Sequence, residues 1–190
     1  MNISNFVKKD GEISFDLSGI SSSVANAIRR IGMNQIPTLA IESAVFYENS
    51  SSFFDEYIAN RLAMVPLTTP ERFREEDEVL LTLDVQGPGL IPSIELKSSD
   101  PEVQLAAKEI PLVKLAEGQS VRLEAKAKLG IGREHARWQT GVITYYPDEK
   151  KKDVFHFRVE SFGQIPPKKI IERTLAKFDE KCTEFLKNLG

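Results

Sequence analysis

Hydrophobic and polar positions alternate along this chain with two periods, and each period marks a type of element. In residues 12–17, Ile13, Phe15 and Leu17 are interleaved with Glu12, Ser14 and Asp16, which predicts a half-buried strand. Gly19 ends it, and the serines at 21–23 offer helix N-caps. The spacing then changes to that of a short helix. Val24, Ala27, Ile28 and Ile31 share one face at 100° per residue, Asn26, Arg29 and Arg30 lie opposite, and Gly32 and Pro37 bracket the end. Residues 38–47 read as a strand, Asn49 to Ser52 as a polar turn, and Asp55 to Met64 as a helix stopped by Pro66. After a charged surface loop at 70–78 come a strand at 79–85 and a turn at Gly87-Pro88-Gly89. The clearest strand spans 121–129, where Val121, Leu123, Ala125, Ala127 and Leu129 alternate with Arg122, Glu124, Lys126 and Lys128. Strands at 141–146 and 154–162 flank a solvated turn at 147–153.

Pro166 and Pro167 suit the first turn of a last helix running to about Leu189. Ile171, Leu175, Phe178, Cys182, Phe185, Leu186 and Leu189 form one stripe on it, uninterrupted by charge. The distal turns of so long a helix are expected to project past a small sheet, leaving stripe for a partner to cover. The order strand–helix–strand, a largely β middle, then strand–helix predicts an α+β unit that the chain leaves, to build a second unit, and re-enters.

Composition narrows the function classes. The 190 residues are 41% hydrophobic and 28% charged, which suits a globular protein and excludes a collagen-like or low-complexity chain. No apolar run approaches the ~20 residues of a bilayer span, and the first residues lack the basic-then-apolar pattern of a secretory signal. The expectation is a soluble cytoplasmic protein. A balance of 25 Lys+Arg against 28 Asp+Glu gives no basic surplus for stand-alone nucleic-acid binding. A single cysteine and two histidines leave too few ligands for a zinc or iron–sulfur site.

The candidate chemistry is sparse. Gly130-x-Gly132 lacks both the third glycine of a dinucleotide loop and the lysine of a P-loop, and Glu134-His135 is not an HExxH pair. No nucleophile stands near His135 in sequence. The Gly130–Trp138 loop reads as a structural or interface loop with Trp138 as its anchor. Arg29 and Arg30 taken alone read as helix solubility. Cys182 reads as a buried small hydrophobe, Lys150-Lys151-Lys152 as a hairpin tip, and Glu71 and Glu75 to Glu78 lack calcium-loop spacing. A stand-alone enzyme using the Gly130–Trp138 loop and an independent nucleic-acid-binding module are the alternatives.

Several stretches carry a resemblance. VANAIRRIGMNQIPTLAIE (24–42), NSSSFFDEYIANRLAMVPL (49–67), VQGPG, LKSSDPEV, IPLVKLAEGQ and LGIGREHARWQ occur in the order found in the α-like assembly subunits of multi-subunit RNA polymerases. Within that family the chain is most similar to the archaeal D type, counterpart of the third-largest subunit of eukaryotic polymerase II and of bacterial α. The resemblance covers about residues 11–190. It implies a dimerisation domain at 1–47 and 153–190, interrupted by a β-rich domain at 48–152. It further implies a non-catalytic subunit of a nucleotidyltransferase complex, which pairs with subunit L, lies near small subunits N and P, and supports assembly of the large subunits, the B-type one first, without specific DNA contact of its own. The L interface is expected at Val24, Ile28, Ile31, Ile171, Leu175, Phe178, Phe185, Leu186 and Leu189. Contacts to large or small subunits are expected at Arg29, Arg30, Arg133, His135 and Trp138. Some relatives carry iron–sulfur or zinc cysteine clusters. Where such a cluster would stand, this chain has ERFREEDE, and the connection after Tyr146 is only PDEKKKD, so no cofactor is expected.

Overall fold

The computed structural model describes residues 1–189, which divide into two compact units, one formed by 1–37 with the residues from 131 onward and the other by 38–130. The fold is α+β throughout, and every strand pairing is antiparallel.

The first unit contains strands β1 (Asn2–Lys9) and β2 (Glu12–Ser18), helix α1 (Ser22–Asn34), strands β9 (Gly141–Pro147) and β10 (Val154–Ser161), and helix α3 (Pro167–Leu189). Its sheet has the order β1-β2-β10-β9. The inward phase of β2, Ile13, Phe15 and Leu17, meets Phe155, Phe157 and Val159 of β10 and Ile143 of β9. Phe15 and Phe157 are register partners and stack with ring centroids 5.3 Å apart. Ala25, Ile28 and Ile31 of α1 and Ile170 and Ile171 of α3 complete this core. Ser21 caps α1, its hydroxyl accepting from the Val24 N–H.

Gly32 does not end α1, as the sequence predicts, but lies within it at the crossing with α3. A Cβ there would meet Ile143 Cδ1 and stand 2.8 Å from Thr174 Oγ1. The Gly32 carbonyl accepts a 2.7 Å hydrogen bond from the buried Thr140 hydroxyl.

β1 was not predicted from the sequence. Every residue in it is exposed, and its register shifts between Ser4 and Val7, with Asn5 at φ 51°. An irregular strand with no buried phase has no alternation to read.

The second unit contains β3 (Thr38–Asn49), α2 (Asp55–Ala63), β4 (Glu78–Gln86), β5 (Gly89–Pro92), β6 (Lys97–Ser98), β7 (Pro111–Leu115) and β8 (Ser120–Gly130). One sheet has the order β3-β8-β4-β6, and β5 pairs with β7. The buried phase of β8, Val121 through Ala127, packs with Leu81 and Leu83 of β4, Leu39 and Ile41 of β3, and Ile58 and Leu62 of α2. The acidic loop before β4 is pinned by ordinary pairing. Arg72 bridges Asp100 and Glu102, and Asp77 accepts from the Arg74 N–H at 2.7 Å.

These pairings move the expected domain boundaries. β3 pairs along its length with β8, so residues 38–47 belong to the inserted unit, and β9 pairs with β10, so residues 131–152 belong to the first. The crossings fall after Pro37 and Gly130, in place of the expected 47/48 and 152/153.

Candidate interaction surfaces

The expected partner stripe splits in two. Ile28, Ile31 and Ile171 are buried in the core of the first unit, and Val24, Leu175 and Phe178 are half-buried against it. Burial of Ile28, Ile31 and Ile171 in their own fold corrects the assignment of those three as surface for a partner, while Val24, Leu175 and Phe178 keep part of their surface accessible. From Asp179 onward every described residue is exposed, with Phe185 63%, Leu186 67% and Leu189 68% accessible. Cys182 belongs to this exposed part, not to the core as its place in the stripe predicts. The reason is geometric: the sheet lies under the first turns of α3, and periodicity carries no information about where that support stops.

The two adjacent arginines also separate. Arg29 is half-buried and turned back on its own helix, with Nη2 donating to Asn26 Oδ1 at 2.9 Å and Nη1 lying 4.0 Å from the Met33 sulfur. Arg30 is exposed and lines a polar cleft of about 450 Å³ together with Asn34, Gln35, Gly132 and Arg133. The Arg133 N–H donates to the Asn34 carbonyl at 3.0 Å, holding the 131–133 segment against the end of α1. Gly132 makes this approach possible, since a Cβ there would stand 2.7 Å from the Met33 carbonyl oxygen. The second glycine of the Gly130-x-Gly132 pattern therefore reflects close backbone packing.

Within the same loop, Ala136–Trp138 forms a single 3₁₀ turn. His135 is exposed, and its Nδ1 accepts from the Arg137 N–H at 3.1 Å and from Arg137 Nε at 3.2 Å. Trp138 is buried, with the Arg137 guanidinium 5.4 Å from its ring centroid. It anchors the loop into its own unit, which corrects its assignment to an intersubunit contact.

Sequence reasoning missed a cluster on the outer face of the first sheet. His156 Nδ1 lies 2.6 Å from Asp16 Oδ1, and Nε2 lies 3.2 Å from Asp148 Oδ2. Asn5 Nδ2 donates to Asp16 Oδ2 at 2.6 Å. The hydrogen bond to Asp16, helped by Asp148, raises the His156 pKa above its ordinary 6.5 against the opposing effect of desolvation. Partial burial pushes the Asp16 carboxyl up, but hydrogen bonds from His156 and Asn5 outweigh it and hold the group below 3.8. Asp148 is lowered chiefly by the backbone N–H groups of Lys150 and Lys151, then by His156. The signal available in the sequence was that Asp16 and His156 both sit on the polar phase of alternating strands. Only the register makes them partners.

Among the described residues, no three or more His, Cys, Asp or Glu side chains are grouped to hold a metal ion, and no helix is long and apolar enough to cross a membrane. What the geometry offers is contact chemistry: an unsupported apolar helix end and a two-arginine cleft, both carried by a discontinuous α+β unit.

That class has a specific match. The RNA polymerase Rpb3/Rpb11 dimerisation domain family matches residues 14–182, and the chain belongs to this family. The DNA-directed RNA polymerase subunit Rpo3 of Pyrococcus furiosus is 48% identical over 145 residues, covering 73% of this chain and 56% of that protein. The Rpo3 subunit of Halobacterium salinarum is 45% identical over 139 residues, with the same two coverages. That of Methanocaldococcus jannaschii is 40% identical over 167 residues, covering 88% of this chain and 85% of the relative. The chain thus spans about half the length of the first two relatives and most of the third.

Proposed function

We propose that this chain is a non-catalytic assembly platform of a DNA-directed RNA polymerase. It pairs with an L-type subunit through its first unit and then supports recruitment of the B-type large subunit, with small subunits N and P nearby, in the cytoplasm. The observation that carries this reading is the exposed end of α3 in a chain whose family is defined by a dimerisation domain. Burying Phe185, Leu186 and Leu189 against a partner supplies roughly 5–9 kcal/mol of gross stabilisation, at about 1.5–3 kcal/mol per side chain. Arg30 and Arg133 serve the later step. Their guanidinium groups have no side-chain partner among the described residues, and two planar forks in one polar cleft suit carboxylates or carbonyls of a large subunit. No cofactor and no direct sequence-specific DNA contact belong to this role.

The test is stepwise reconstitution. Phe185→Asp places an unpaired carboxylate in the proposed dry interface, a penalty of several kcal/mol. The variant should fold, because Phe185 contributes nothing to its own core, and should fail to copurify with the L-type partner. Arg30→Ala/Arg133→Ala should fold, bind that partner and fail to recruit the large B-type one. Full-yield copurification of Phe185→Asp with the L-type partner overturns the helix assignment, and normal recruitment of the large subunit by the double variant overturns the role of the cleft.

A further inference from the structure

The cluster around His156 plays no part in the proposed assembly contacts, yet it joins four segments of the first unit. Asp16 comes from β2, His156 from β10, Asp148 from the turn between β9 and β10, and Asn5 from β1. The second oxygen of Asp148 accepts from the Lys150 and Lys151 N–H groups at 2.8 and 2.9 Å, so the same carboxylate shapes the turn. An ionised carboxylate only accepts hydrogen bonds, whereas a neutral imidazole has one donor and one acceptor nitrogen. With a carboxylate oxygen against each ring nitrogen, both contacts are satisfied only by the imidazolium. A neutral ring leaves one nitrogen lone pair facing a carboxylate.

β1 is the element with most to gain from this arrangement. It is an edge strand, wholly exposed, with its register interrupted where Asn5 sits. Apart from the backbone ladder, its ties are Asn5 to Asp16 and a longer 3.4 Å bond from the Ser18 hydroxyl to the Asn2 carbonyl.

We propose that His156 is a proton-operated clasp. Protonated, it holds Asp16 and Asp148 in place and so seats β1 and the β9–β10 turn; deprotonated, it lets both loosen. The other groups on this face do not compete for the proton. Arg158 pairs with Glu12 at 2.7 Å and lies 3.9 Å from Glu160. Lys9 is the register partner of Glu12 on β1. From β9, the Tyr146 ring lies 4.7 Å from the imidazole, centroid to centroid, which favours the cationic ring. Helices α1 and α3 pack on the opposite face of the sheet, with the core.

The direction with pH follows from linkage. A raised histidine pKa gives stabilisation that is complete below 6.5 and is lost as pH rises through the higher folded-state value. The lowered carboxylates give stabilisation that is complete above 3.8 and is lost as pH falls through their folded-state values. The clasp is therefore closed between the lowered carboxylate values and the raised histidine value, and it opens as pH rises through the latter.

Two measurements on the full chain test it. In His135→Gln, which leaves a single imidazole, NMR titration of His156 should give a midpoint above 6.5. Amide hydrogen exchange, corrected for intrinsic rate, should show protection of β1 and of residues 148–154 falling as pH passes that midpoint. The fall should be about tenfold for each unit by which the midpoint is raised. His156→Gln should remove this pH dependence and leave β1 at its weakly protected level, while protection of β10 and α1 changes little. A midpoint at or below 6.5, or equal β1 protection at both ends of the titration in the unsubstituted chain, overturns the proposal. Both readouts stand even if His156→Gln fails to fold.

Discussion

The two halves of α3 carry one apolar spacing and meet opposite fates. In the first half, Ile170, Ile171 and Thr174 are buried, and Leu175 and Phe178 lean on the same core. In the second half the stripe continues through Cys182, Phe185, Leu186 and Leu189 with nothing of the first unit over it. Periodicity thus specifies which face is apolar but not what covers it. The first half of α3 is a core element. The second half is a surface that the chain presents, and it is the surface proposed above to meet the partner.

The sharpest break in the comparison comes from truncating one residue in each half. Ile170→Ala removes a fully buried side chain and should cost about 2–5 kcal/mol. In a chain of this size, that lowers Tm by roughly 2–4 °C per kcal/mol. Leu186→Ala, measured the same way on the unpartnered chain, should stay within about 0.5 kcal/mol. Similar losses for both would mean that the distal half is covered by its own fold.

A somewhat smaller effect is expected at the helix crossing. Gly32→Leu drives a side chain into Ile143 and Thr174 and should destabilise by about 3 kcal/mol, part of the steric cost being offset by better helix propensity than glycine. Urea unfolding reads this directly. The smallest perturbation leaves the fold untouched: Cys182 should be fully labelled by a thiol reagent in the free chain and protected once a partner covers the end of α3. Labelling that is slow in the free chain would place Cys182 back among the core residues.

Where the sequence was legible, local pattern and burial agreed. β2, β8 and β10 alternate so regularly that their inward residues, Phe15, Leu123 and Phe157 among them, are the ones buried. The elements missed are β1, with its bulge at Asn5 and no buried phase, the short β5 and β6, and β7, whose five residues carry adjacent buried positions in place of a regular alternation. The interaction residues were legible only in part. Arg30 and Arg133 lie far apart in sequence and meet because a glycine lets one loop touch the end of α1. Ile28 and Ile31 look like partner surface until the sheet beneath them is known. Trp138 has the composition of a hot spot and the burial of a core residue. Asp16 and His156 needed the strand register to become a pair.

The inserted unit begins at Thr38 and ends at Gly130, and these two residues are register partners at the end of the β3–β8 ladder. This has a kinetic consequence. The first unit is split in sequence, and closing it across an unfolded segment of about ninety residues carries a loop entropy of roughly 4 kcal/mol. Once β3 and β8 have zipped, that long loop becomes a short one with its ends already adjacent, and most of this barrier is removed. The insert should therefore acquire protection first in a refolding experiment, with α3 docking onto β2 and β10 afterwards. The last helix of the chain would then become available to a partner only when the interior of the sequence has already folded.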